Sequence, residues 1–101
     1  MKKTLLSLIL ISTLFAVKAQ TTVIDSIYVG GQYRSYRLYV PAIYTGATAR
    51  PLILNLHGYT SNASQQQLYS NFAPIADTAN FLMVYPSGTY SSGQRFWSAG
   101  L

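Results

Sequence analysis

From Thr21 to Pro41, in TTVIDSIYVGGQYRSYRLYVP, hydrophobic and polar positions alternate with a period of two. Ile27 and Val29 flank Tyr28 ahead of Gly30-Gly31, and Tyr36, Leu38 and Val40 alternate with Arg37 and Tyr39 behind it. Alternation on both sides of a Gly-Gly pair predicts a β-hairpin, antiparallel and with one wet face. Pro41 has no N–H for a ladder and ends the second strand. A polar connection, AIYTGATAR, comes next, and then the pattern changes. In PLILNLH, Leu52, Ile53, Leu54 and Leu56 are apolar on both faces, as expected of a parallel strand covered on each side by helices. Asn55 interrupts that run and needs a hydrogen-bond partner.

Leu68, Phe72, Ile75 and Ala79 recur at near-helical spacing across TSNASQQQLYSNFAPIADTANF. Pro74 falls inside this stretch, and proline is tolerated only in a first helical turn or at a kink. The expectation is therefore either one kinked helix, or a loop and then a short helix starting near Pro74, with Asn80 as the stop. FLMVYP, from Phe81 to Pro86, reads as a second buried strand, and PSGTYSSGQ as a turn-rich loop. Strand, helix and strand in this order predict a parallel crossover. The fold class expected is α/β: an antiparallel hairpin leading into a parallel β-α-β unit.

The first nineteen residues change how the chain's charge is read. A basic MKK, the apolar TLLSLILISTLFAV and the small-residue VKA make the layout of a secretory signal peptide, cut between Ala19 and Gln20. The apolar run is shorter than the roughly 20 residues a spanning helix needs, so no stable membrane anchor is expected after its removal. The whole sequence carries seven Lys plus Arg against two acidic residues. Lys2, Lys3 and Lys18 leave with the leader, so Arg34, Arg37, Arg50 and Arg95 stand against Asp25 and Asp77. These form no basic stripe able to track phosphates, and nucleic acid is not expected as a partner. Without cysteine, disulfides do not hold this exported segment together. Residues 20–101 are fewer than the roughly 100–200 usual for a domain. They end on RFWSAGL, with neither a charged tail nor a capping signal, so the expectation is the front part of a longer protein.

The candidate chemistry lies where PLILNLH meets GYTSNAS. In an open α/β sheet, ligands bind beyond the carboxyl ends of the parallel strands, and His57-Gly58 is at such an end. Glycine there lets the backbone bend sharply and approach a substrate closely. The N–H groups of Tyr59 and Thr60 are expected to leave the ladder free, where they could stabilise charge developing on a carbonyl oxygen. His57 is expected to shape this loop by hydrogen-bonding nearby backbone, since a general base needs a nucleophile within reach. One histidine and two distant acids make no metal site, and no cofactor is expected. Asp77 reads as a helix-surface or capping carboxylate, Trp97 and Phe96 as core or pocket wall, and Asn62 as the head of a glycosylation sequon by pattern alone.

GGQYRSYRLYVP, RPLILNLHGYTSNA, ADTANFLMVYPSGT and FWSAG, taken together and in this order, resemble the N-terminal part of the secreted polyhydroxybutyrate depolymerase and feruloyl esterase-like group of α/β-hydrolases. Arg34, Tyr36 and Pro41 match the opening hairpin of that group, Asp77 and Phe81 its helix-to-strand passage, and Trp97 and Ala99 its last motif. Ser98 stands where asparagine is common.

The resemblance implies an incomplete α/β-hydrolase sheet from a Ser-His-Asp esterase. The substrate would be polymeric or small: a hydroxyalkanoate polyester, or feruloyl or acetyl esters on plant polysaccharide. It also implies oxyanion donors at Tyr59 and Thr60, on a loop shaped by His57 and Gly58, with Trp97 as a possible pocket wall. The nucleophile of such enzymes sits in a G-x-S-x-G elbow, and Asp and His follow it in the chain. Phe96 occupies the first glycine position of FWSAG, where the turn is too tight for a side chain, so Ser98 is a poor nucleophile and the triad is not expected in these residues. A secreted serine peptidase with the same hole and triad fits these strands nearly as well. A non-catalytic, glycan-binding module using the nine tyrosines and Trp97 is the rival from another class.

Overall fold

A computed structural model describes residues 19–98. The expected leader, but for Ala19, and Ala99 of the last motif lie outside the described residues. The hairpin forms as β1 (Thr21–Val29) and β2 (Gln32–Val40), paired antiparallel from Thr21 opposite Val40 to Val29 opposite Gln32. Gly30 and Gly31 have φ of 60° and 82°. Positive φ at both central residues is the type I′ turn whose twist matches that of its strands.

β3 (Leu52–Leu54) runs parallel to β4 (Leu82–Pro86), and β4 pairs antiparallel with β2. The four-stranded order is β1-β2-β4-β3, a mixed sheet with β4 inside and β3 at one edge.

The segment between β3 and β4 forms two short helices rather than one kinked helix or a loop with one helix. These are α1 (Ala63–Tyr69) and α2 (Ala73–Ala79). Asn62 caps α1 by accepting the Gln65 N–H at 2.9 Å. Pro74 sits in the first turn of α2, where its missing N–H costs nothing. Asn80 closes α2 in the left-handed conformation, and Arg50 donates to the last two carbonyls, those of Ala79 and Asn80, at 2.9 and 2.7 Å.

Both helices pack on one face of the sheet, over β4 and, for α1, β2. Ala63 and Ala76 are buried there with Tyr39, Phe81, Met83 and Tyr85. Small helical residues let the two helices approach closely, and this makes the core. Arg37 and Tyr39 therefore point to the covered face, where Arg37 donates to Gln67 at 2.7 Å and the Tyr39 hydroxyl to Asp77 at 2.6 Å. Asn55 is satisfied too, accepting from Gln66 at 2.8 Å.

No helix among the described residues covers the opposite face. Ile27, Tyr36, Leu38, Leu52, Leu82 and Val84 line an open apolar depression on it. Leu52 and Leu54 are 53 % and 62 % exposed. The expectation of a strand covered on both sides thus fails for β3, because the helices dock over β4 and β2 and leave the edge strand open. The last stretch differs as well. In place of a turn-rich loop, β5 (Thr89–Ser91) and β6 (Gln94–Phe96) form a second antiparallel hairpin. Its turn, Ser92-Gly93, has φ of 53° and 78°, again the I′ pattern.

Candidate functional site

His57 lies just beyond β3, where the chain leaves the sheet, and is 3 % exposed. The Gly88 N–H donates to its Nε2 at 2.9 Å. Nε2 is therefore the unprotonated nitrogen, and Nδ1–H donates to the Gly58 carbonyl at 2.7 Å. The Trp97 indole N–H donates to the His57 carbonyl at 2.8 Å, and the two rings lie 4.9 Å apart and tilted. With both ring nitrogens occupied by backbone, His57 organises a loop and is not placed to take a proton from a hydroxyl.

Gly88 is as constrained as the histidine. A Cβ there would stand 2.4 Å from the Phe96 carbonyl oxygen and 3.4 Å from the His57 ring. The segment after β4 can lie between His57 and β6 only without a side chain. The reading from sequence did not single this glycine out. Its one signal is a glycine two residues beyond a strand-ending proline, shared by many ordinary turns.

Tyr59 and Thr60 part company. The Thr60 N–H donates to the Arg95 carbonyl of β6 at 2.9 Å, so this donor is tied up and is not the free group expected. The cause is tertiary, since the β5–β6 hairpin packs across the loop and takes the amide. Thr60 also has φ of 72°, uncommon for a β-branched residue, so the loop is held in a strained shape. The Tyr59 N–H finds no acceptor among the described residues.

Tyr59, Phe96 and Trp97 line an open hollow of about 590 Å³, together with Ser91, Ser92 and Gln94. The expected wall residue Trp97 and the loop residue Tyr59 thus meet at one depression. Ser91, Ser92 and Gln94 join them only because the second hairpin forms, and no spacing in the sequence announces it. Asp77 is remote in role, engaged with Tyr39. Among the described residues no three His, Cys, Asp or Glu side chains gather as a metal would require, and no helix is long and apolar enough to cross a membrane.

No family model matches this chain. Over 67 residues, 66 % of its length, the chain is 33 % identical to a bifunctional acetylxylan esterase/xylanase of Neocallimastix patriciarum. The match takes in 9 % of that protein, so the chain spans less than a tenth of the relative's length. The similarity is a distant and partial one, to a protein with an esterase activity.

Proposed function

We propose that this chain is the N-terminal part of a secreted serine ester hydrolase of the α/β-hydrolase type, and that it supplies the oxyanion loop. The reading rests on one observation: the Tyr59 N–H, without an acceptor among the described residues, stands just past a parallel strand on a loop fixed by His57 and Gly88. In hydrolases with a nucleophile elbow, one oxyanion donor comes from the loop after this strand and the other from the residue following the nucleophile. A single free amide is then all the loop has to provide, and Thr60 serves to hold the loop in place. The partial likeness to an acetylxylan esterase/xylanase supports an acyl ester on plant polysaccharide as the substrate, with polyester the weaker alternative. The nucleophile, acid and base would come from polypeptide beyond Leu101, and the leader would direct export.

In the mechanism that follows, a serine attacks the ester carbonyl and the Tyr59 N–H receives the oxygen as it gains negative charge. Preorganised donors of this kind contribute roughly 2.7–4 kcal/mol each to lowering the barrier. His57, with both ring nitrogens engaged by backbone, holds the loop and moves no proton.

The test is acetate release from acetylated xylan by the enzyme secreted from its own host. Tyr59→Pro removes the N–H and is expected to lower kcat by about 10²–10³-fold, whereas Tyr59→Ala, which keeps it, retains most of kcat at saturating substrate. Full activity in Tyr59→Pro would overturn the role of this amide. The 101-residue chain alone should release no acetate, and hydrolysis by it that disappears in Ser98→Ala would refute the assignment of the nucleophile to other polypeptide.

A further inference from the structure

The hollow beside Tyr59 is lined by aromatic and neutral polar residues. Three aromatic rings, those of Tyr59, Phe96 and Trp97, share it with two hydroxyls and an amide from Ser91, Ser92 and Gln94, and no charged side chain lines it. Its volume of about 590 Å³ falls within the roughly 300–1,000 Å³ of small-ligand sites. The Trp97 indole N–H is already spent on the His57 carbonyl, so this side chain offers the hollow apolar ring surface rather than a donor. The Tyr59 ring is 70 % exposed, a large aromatic surface left in water at the rim.

Each class of ligand meets this lining differently. An anionic ligand would lose hydration and gain no counter-charge. A purely aliphatic acyl chain would cover the hydroxyls and the amide without pairing them, an unfavourable burial of unsatisfied polar groups. A sugar ring is apolar across its C–H faces and carries hydroxyls around its edge. Stacked on the aromatic surfaces, it puts those hydroxyls within reach of Ser91, Ser92 and Gln94.

We propose that this hollow is a subsite for the neutral pyranose backbone of a polysaccharide, beside the loop that receives the acyl group. The proposal builds on the esterase reading above and extends it from the ester to the sugar that carries it. Ser91 and Ser92 bind hydroxyls here and are not nucleophiles, since both nitrogens of His57 are engaged by backbone.

Trp97 is the sole tryptophan of the 101 residues, so tryptophan emission comes from a wall of this hollow. The full chain is titrated with neutral xylohexaose and, in parallel, with an oligogalacturonate of the same length. A saturable change in Trp97 emission is expected with xylohexaose, at least tenfold weaker binding with the oligogalacturonate, and at least tenfold weaker xylohexaose binding in Gln94→Ala and in Tyr59→Ala. Tyr59 and Gln94 are exposed and form no side-chain hydrogen bonds among the described residues, so both variants should keep the wild-type circular dichroism spectrum. No saturable change with xylohexaose, equal binding of both oligosaccharides, or undiminished binding in both variants would overturn the subsite. Failure of the esterase reading would appear separately, as absent acetate release with sugar binding intact.

Discussion

The imidazole of His57 accepts the Gly88 N–H and donates to the Gly58 carbonyl, so one buried ring joins the chain leaving β3 to the chain leaving β4. That arrangement depends on Gly88 having no side chain. The atom a Cβ would strike, the Phe96 carbonyl oxygen, belongs to the backbone and cannot rotate away. Gly88→Ala is expected to destabilise the fold by about 1–3 kcal/mol, as overpacking does, and to lower the urea midpoint accordingly. An unchanged midpoint would mean that β6 does not sit against this glycine. His57 and Gly58 were legible as a loop from the glycine after an apolar strand. Gly88 was not, because its constraint comes from a carbonyl eight residues on that folds back over it.

Tyr39 joins two elements, since its hydroxyl on β2 donates to Asp77 on α2. Burial first, then the hydrogen bond and the negative charge of Asp77, push the Tyr39 hydroxyl up to about 12 from its ordinary 10.0. The folded state thus favours the neutral phenol. This contribution is fully present below pH 10 and is lost as the pH climbs from about 10 to about 12. Thermal melts across that range should show Tm falling more steeply in the wild type than in Tyr39→Phe, and parallel slopes would deny the link. Local signals set some element boundaries and not others. Gly30-Gly31 and Pro74 act locally, through φ and a missing N–H, and both turned out where expected. Ser92-Gly93 is a weaker turn signal than an asparagine-glycine pair, and strands of three residues leave too little alternation to detect.

Among the described residues, the sheet is covered on one face and open on the other. Leu52, Leu54 and Ile27, each more than half exposed, lie on the open face with Leu38 and Val84, and exposed apolar surface of this kind is a binding site for apolar dyes. The chain by itself should therefore bind the dye ANS, with enhanced fluorescence that falls when Leu38→Lys and Leu54→Lys are combined. Fluorescence at the level of a fully covered globular control would show that this face is occupied. The bare face also bears on the proposed function, because an α/β-hydrolase sheet has helices on both sides and these residues cover only one.

By itself the sequence determined what local chemistry can fix: the alternation of β1 and β2, the hairpin at their glycine pair, the proline-started helix and the glycine hinge after the histidine. Only the tertiary structure decided which face of the sheet is covered, that the Thr60 amide is consumed by β6, and that Tyr59 and Trp97 share a hollow. Alternation states that two faces differ without stating which one a helix will meet, and an amide's freedom depends on segments distant in the chain.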